Sequence, residues 1–270
     1  MTSHIDPARV ATLLREAAET EIMPRFRQLE SHEITEKNPG DLVTVADQAA
    51  EAFLTRHLAD LIPNALIIGE EAHESQPAAL AALGSAEWAW IIDPLDGTHN
   101  FAHGKARFAV ILALAHRGET VMGWIYDPVN GRLAVAEKGA GAMIDGNRLQ
   151  LSASQPVSDM TGSVGPKLAE RVRRRAAEKG KAIPREFLRY RCVGLEYMDL
   201  AAGVLDFARY AGRLMAWDHA AGVLLHLEAG GFAAMTGDGR AYDPGAKRPG
   251  DALFLAPDSD TWGELNRLLS

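Results

Sequence analysis

Residues 90–100 read W-I-I-D-P-L-D-G-T-H-N, an apolar run that ends in two carboxylates three positions apart. A buried charge without a partner is costly, so Asp93 and Asp96 need an explanation. Pro94 fixes its own φ and withdraws a backbone donor, which predicts an irregular turn here rather than helix or strand. Gly97 lets the backbone approach a ligand closely, and Thr98 is placed to cap a helix beginning near His99. The N–H groups of such a helix start suit a phosphate, yet two carboxylates beside it would repel one. A divalent cation between the acids reverses that sign, and oxygen donors without Cys or paired His suit Mg²⁺. The alternative is that Asp93 and Asp96 are simply turn-forming residues.

Moving outward, the run A-L-I-I-G-E-E (65–71) also stops at acids, Glu70 and Glu71. Upstream, Thr44 reads as an N-cap with Asp47 at the third helical position. The helix it opens runs to about Leu61, with Ala46, Ala50, Leu54 and Leu58 on one face. Residues 6–30 carry Val10, Leu13, Leu14, Ala17 and Ala18 at helical spacing, and 31–41 reads as a mobile polar loop. Downstream, residues 107–151 have a β pattern, with turns at Arg117–Glu119, Asp127–Gly131 and Asp145–Gly146. The polar tract 152–162 marks a boundary. Beyond it the spacing predicts helices over 166–180, 195–205 and 217–229, and a last one ending at 269. Strands are expected at 187–193, 207–211, 231–235 and 252–256. The sequence therefore divides into an α+β half, 1–152, and an α/β half, 153–270. Asp218, which opens W-D-H-A-A-G-V-L-L-H-L-E-A-G-G, is either a plain N-cap or a ligand projecting from a helix start.

Composition narrows the function classes. With 270 residues, 47% hydrophobic and 24% charged, the chain can bury a large core. A formal charge of −8 makes a dedicated nucleic-acid binder an unlikely class. A single cysteine, Cys192, excludes an intramolecular disulfide and fits a reducing cytoplasm. The opening M-T-S-H-I-D-P-A-R-V lacks the marks of a secretion signal, and the longest clean apolar run, 109–115, is too short to span a bilayer. A cytoplasmic location is expected.

The segments D-L-V-T-V-A-D-Q-A-A-E (41–51), G-E-E (69–71), W-I-I-D-P-L-D-G-T-H-N-F (90–101) and W-D-H-A-A-G-V-L-L-H-L-E-A-G-G (217–231) together resemble the inositol monophosphatase-like, Mg²⁺-dependent, lithium-sensitive phosphatases. The resemblance runs from about Lys37 to Ala256. It implies a layered α-β-α-β-α sandwich as in sugar phosphatases, a homodimer, and hydrolysis of a small phosphorylated substrate by metal-activated water. It further implies two or three Mg²⁺ ions held by Glu70, Asp93, the Leu95 carbonyl, Asp96 and Asp218, with the Lys37 loop nearby. Thr98, oriented by Asp47, is implied as the partner of the attacking water. The N–H groups of Gly97 and Thr98 are implied phosphate holders, beside Asp96 and Asp218 on the substrate.

Neighbouring residues read more plainly. His99 is expected as a packing or surface histidine, Glu71 as a residue that orients its surroundings, and Cys192 as a small apolar residue rather than a nucleophile. Two departures from the family concern the alcohol. Arg191-Cys192-Val193-Gly194 stands where many members have a G-S-A-A-like stretch. The segment Phe207–Arg213 lacks the sugar-contacting acid that those members carry shortly before W-D. Arg213 is expected to meet a second phosphate or a carboxylate, or else to point to solvent. Inositol 1-phosphate is the default substrate. Histidinol phosphate, a 3′-phosphoadenosine-type nucleotide and fructose 1,6-bisphosphate are the alternatives. A partner- or RNA-binding protein on a phosphatase scaffold is the reading from another class. It leans on the basic stretch 167–191, whose ordinary reading is a solvated helix face.

Overall fold

Two sheets organise the chain in the computed structural model, which describes residues 5–38, 41–73, 75–152, 154–246 and 249–270. Helix α1 (Pro7–Ala17) starts where the Asp6 carboxylate accepts the Ala8 N–H at 2.9 Å. It loosens into a wider turn at Ala18–Ile22 and a tighter one at Met23–Arg25, so the helix expected over 6–30 is shorter. Pro24 accounts for this, because its ring blocks continuation of the ladder. The stretch expected as a loop is a hairpin of β1 (Ile34–Asn38) and β2 (Asp41–Thr44). None of the strand residues Ile34–Lys37 is buried, so hydropathy carries no mark of a strand there. Pro39 and Gly40 of the expected loop lie outside the described residues.

Helix α2 (Val45–Leu61) begins with the reciprocal cap foreseen from Thr44 and Asp47. The Thr44 hydroxyl accepts the Ala46 N–H, and Asp47 Oδ2 accepts the Thr44 N–H at 2.8 Å. Then β3 (Leu66–Gly69), the short helices α3 (Glu70–His73) and α4 (Pro77–Ala81), and β4 (Trp88–Asp96) follow. After α5 (Thr98–Ala102) the chain runs as an antiparallel meander of β5 (Ala109–His116), β6 (Glu119–Asp127), β7 (Arg132–Glu137), β8 (Gly141–Ile144) and β9 (Asn147–Arg148). These seven strands form one sheet in the order β3-β4-β5-β6-β7-β8-β9.

The second sheet is built from β10 (Thr161–Val164), α6 (Pro166–Lys179), β11 (Glu186–Leu188), α7 (Val193–Ala201) and β12 (Phe207–Ala211). It is completed by α8 (Ala216–Glu228), β13 (Phe232–Met235), β14 (Ala252–Ala256) and α9 (Ser259–Leu269). Its strand order is β11-β10-β12-β14-β13, with β10 parallel to both its neighbours. Two expectations are corrected here. β10 lies partly in the tract read as a polar boundary, and the strand expected at 187–193 ends at Leu188, with Val193 already helical.

Apolar residues sort into three clusters, and these define five layers. Val10, Leu14, Leu54 and Leu58 of α1 and α2 pack with Trp90 and Trp124 of the first sheet. Tyr197 and Leu200 of α7 and Val223 and Leu224 of α8 fill the space between the sheets. Val172 of α6 and Leu265 of α9 cover the far face of the second sheet against Phe207 and Phe254. The result is the α-β-α-β-α sandwich. Full burial of each large apolar side chain contributes roughly 1.5–3 kcal/mol, so the interior layer is held from both faces. α8 lies close: a Cβ on Gly222 would come within 2.1 Å of the Tyr197 ring. Among the described residues no helix is long and apolar enough to cross a membrane.

Candidate active site

The irregular turn expected at Asp93–Asp96 is a bulge within a strand. Asp93 pairs with Ile111 and Asp96 with Ala109, so three steps on β4 oppose two on β5. The extra residue spares Pro94 a ladder bond and re-aims the two acids. Asp93 Oδ1 accepts the Leu95 N–H at 3.0 Å, which folds the bulge back on itself. Gly97 closes it with a φ of 90°. A Cβ there would sit 3.0 Å from the Arg107 carbonyl and 3.2 Å from Cys192 Cβ. Both the left-handed backbone and the close approach require glycine. Gly97 thus caps α5, and Thr98 is its first helical residue rather than its cap.

Asp93 is 2% exposed and lies close to Glu70, the residue that follows β3. Burial raises Asp93 well above the carboxylate range, and the negative charges of Glu70, Asp96 and Asp218 add to the shift. Glu70 is raised first by burial, then by Asp218, Glu71 and Asp47, with Lys37 opposing. Glu70, Asp93, Asp96 and Asp218 therefore converge as acids that destabilise one another's charge. Among the described residues no three His, Cys, Asp or Glu side chains close a metal cage as they stand. The donor chemistry nevertheless fits a hard divalent cation. Clustered, largely buried oxygen donors whose negative charges outnumber the nearby Lys37 are what such an ion neutralises.

Asp96 is held from the other half of the chain. Its Oδ2 accepts the Cys192 thiol at 3.0 Å and the Gly194 N–H at 2.6 Å, at the start of α7. These bonds oppose the rise that burial imposes on its pKa. Cys192, expected as a merely apolar neighbour, is a donor to a candidate ligand, and burial together with Asp96 keeps it a thiol.

Thr98 Oγ1 lies 2.9 Å from Asp47 Oδ1 and 3.0 Å from the Leu95 carbonyl. Asp47 also accepts the Thr44 hydroxyl at 2.5 Å, and burial pushes its pKa up to about 7. The Thr98 hydroxyl proton points to these acceptors, which leaves its lone pairs toward the acids' side. Lys37 on β1 pairs with Glu71 at 2.5 Å.

Sequence reasoning missed three supports. Glu51 of α2 accepts the Glu71 and Ala72 N–H groups, each at 2.8 Å, and so fixes the chain after Glu70. It lies in the quoted 41–51 segment, but nothing local distinguishes it from a helix-surface acid. Asn100 donates to the Arg107 and Tyr190 carbonyls at 2.9 Å, tying α5 to the approach to α7. Glu196 is 3% exposed on α7 and accepts the Tyr190 N–H at 2.8 Å. His99 stacks on His103 at 4.2 Å and meets Arg191 at 3.1 Å, which agrees with a packing role.

Asp218, in the first turn of α8, opens onto a cavity of about 550 Å³. Arg213 lines it too, as do Lys167, Arg189, Arg191 and Arg209. Arg213 also borders a smaller depression with Lys37, Glu70 and Asp218, so it stands between the acids and the cavity. The basic stretch 167–191 is not one solvated face. Arg171 bonds the Leu269 carbonyl at 3.3 Å and Arg173 lies over Phe187, while Lys167, Arg189 and Arg191 face the cavity.

The family model of the inositol monophosphatase family matches residues 6–251. An inositol-1-monophosphatase of Rhizobium meliloti (strain 1021) is 33% identical over 226 residues, covering 82% of each chain. A protein named Nus factor SuhB of Vibrio cholerae is 32% identical over 228 residues, again 82% of each. Among solved structures, the extragenic suppressor protein suhB of Bartonella henselae has a TM-score of 0.77 at 27% identity. That match covers 97% of this chain and 98% of the other.

Proposed function

The chain belongs to the inositol monophosphatase family, and on that premise we propose that it hydrolyses the phosphate monoester of a small polyol or sugar. Its class is phosphoric monoester hydrolase. The default substrate is inositol 1-phosphate, with histidinol phosphate, a 3′-phosphoadenosine-type nucleotide or fructose 1,6-bisphosphate as alternatives. The observation that carries the proposal is the meeting of Glu70, Asp93, Asp96 and Asp218 beside the Thr98–Asp47 pair. In this reading residues 1–152 supply most ligands, and residues 153–270 supply Asp218 and the wall that faces the alcohol.

Glu70, Asp93, the Leu95 carbonyl, Asp96 and Asp218 would hold two or three Mg²⁺ ions. Bound there, the ions would neutralise the phosphate's charge and make water a stronger nucleophile. The protein's own groups do the positioning. Asp47 fixes the Thr98 hydroxyl so that its oxygen accepts a hydrogen bond from an attacking water and aligns it. The Gly97 and Thr98 amides face the phosphate oxygens at the closed end of the bulge. Cys192 and Gly194 hold Asp96 in one orientation, so little reorganisation is needed on binding. Lithium sensitivity, a cytoplasmic location and a homodimer belong to the same proposal.

The test is phosphate release from a panel of phosphomonoesters with Mg²⁺ and with chelator. Activity on at least one polyol or sugar phosphate that vanishes on chelation supports the reading; full activity in chelator overturns it. A second reading, contact with RNA or a protein through α6, draws on the exposed Arg174 and Lys179 and on the Nus-factor names of relatives. Unchanged RNA binding after Arg174→Gln with Lys179→Gln would remove its support.

A further inference from the structure

The second sheet places its cavity at a particular topological position. β10, β11 and β12 run parallel, with β10 between the other two, so their carboxyl ends share one edge. From β10 the chain leaves through α6, which packs with α9 on the outer face. From β11 it leaves through α7, which packs in the interior layer against α8. Helices departing to opposite faces leave a crevice outside the strand ends, the usual seat for a ligand in parallel sheets. The cavity occupies this crevice. Gly165 to Leu168 follow β10, Arg189 and Arg191 follow β11, and Arg209 to Ala211 end β12.

Cations outnumber acids along its lining, five against Glu196 and Asp218. Among the described residues, none of Lys167, Arg189, Arg191, Arg209 and Arg213 belongs to an ion pair within 4 Å. Arg209 is half-buried, and its pKa is lowered by burial and then by nearby Arg171, with Asp251 acting the other way. A guanidinium in such a place gains from an anion that restores its lost hydration. Glu196 is buried on this wall and already accepts the Tyr190 N–H at 2.8 Å, while Asp218 stands at the end nearest the carboxylates. Arg191 leans on His99. Lys167, Arg189 and Arg209 remain, beside the first turn of the 14-residue α6, whose N-cap Gly165 has no side-chain cap.

We propose that this crevice is a second anion subsite: the alcohol part of the substrate carries a further phosphate, held by Arg189, Arg209 and Lys167 while the reacting phosphate lies at the carboxylates. This deepens the phosphatase reading and rests on it for the position of the reacting phosphate. Planar guanidinium forks match phosphate oxygens two at a time, whereas the hydroxyls of an unsubstituted polyol leave such donors poorly matched. A bisphosphate of a small sugar or nucleoside is therefore the substrate class that the crevice fits. Arg213, between the two sites, contacts either phosphate.

The test uses the full chain with Mg²⁺, titrated calorimetrically with the non-hydrolysable phosphonate analogues of fructose 1,6-bisphosphate and fructose 1-phosphate, which differ by one phosphate. The wild type binds the bisphosphate at least tenfold more tightly, and Arg189→Gln with Arg209→Gln brings the two within about threefold. Arg173→Gln with Arg174→Gln, the same charge change outside the cavity, keeps the preference. Arg189→Gln alone, at an exposed position, gives an intermediate ratio and serves if the half-buried Arg209 variant folds poorly. Equal affinities in the wild type, no detectable bisphosphate binding, or a preference that survives Arg189→Gln with Arg209→Gln would each overturn the subsite. So would displacement of the bisphosphate by a short single-stranded RNA at lower concentration, which would assign the cations to a polymer. Absence of phosphate release from every ester with Mg²⁺, with the binding preference intact, would sink the phosphatase reading alone.

Discussion

The acids around β4 and the cations around the ends of β10–β12 are built in opposite ways. Asp93 is deep and Glu70 half-buried beside it, both crowded by other acids and placed by a bulge and a neighbouring strand. Arg189, Arg191 and Arg213 are exposed and reach the cavity from segments that follow strand ends. An acid of the first group cannot move without disturbing the first sheet, whereas a cation of the second can change and leave both sheets standing. On the proposed function, chemistry belongs to the rigid part and substrate choice to the adjustable part.

The largest expected effect breaks the rigid part. Asp93→Asn or Asp218→Asn removes charge but little volume, and turnover should fall far below a tenth of wild type while the fold survives. Retention of more than that tenth, about 1.4 kcal/mol of barrier, in steady-state phosphate release would detach these acids from the chemistry. Next come Thr98→Ala and Asp47→Asn, each expected to lower kcat by about 10²-fold with little change in KM. A change confined to KM would move the pair from water positioning to substrate binding.

Acid titration sharpens the contrast further. Asp47, Glu70 and Asp93 all have raised pKa values in the folded chain, Asp47 at about 7 against 3.8 for the free side chain. Between those values the folded state holds more protons than the unfolded one, so stability without metal falls as pH rises. Calorimetry in chelator should show a thermal midpoint that drops between about pH 4 and pH 7, and Mg²⁺ should raise it more at the upper end. A midpoint that rises over that range would contradict the crowded-acid picture. Smaller still, Gly97→Ala should cost about 1–2 kcal/mol from its left-handed backbone, more if Cys192 cannot yield. A lowering of the thermal midpoint by several degrees is the measurement.

Legibility follows the same division. The Thr44–Asp47 cap, D-P-L-D-G-T and W-D are contiguous in sequence, and local chemistry explains each. The meander from β5 to β9 was marked by turn residues and apolar runs. β10 was hidden because Thr161-Gly162-Ser163-Val164 buries polar residues inside a sheet, where hydropathy points the other way. α3 and α4, with four and five residues, are too short for helical periodicity to register. Lys167, Arg189 and Arg209 are far apart in the chain, and only parallel strand order brings them to one edge. Glu196 was unreadable for a related reason: as one acid in an apolar helix, it gains meaning from the Tyr190 backbone opposite.

Cys192 gives the molecule a built-in clock. It is the sole thiol in the chain, fully buried, and its S–H is engaged by Asp96. A thiol reagent can reach it only when the start of α7 lifts away from the end of β4. The labelling rate therefore counts how often that seam opens, and the opening free energy follows from comparison with the unfolded chain. Slower labelling in Mg²⁺ would show ions closing a seam between segments a hundred residues apart, read from one sulfur atom with no engineered probe.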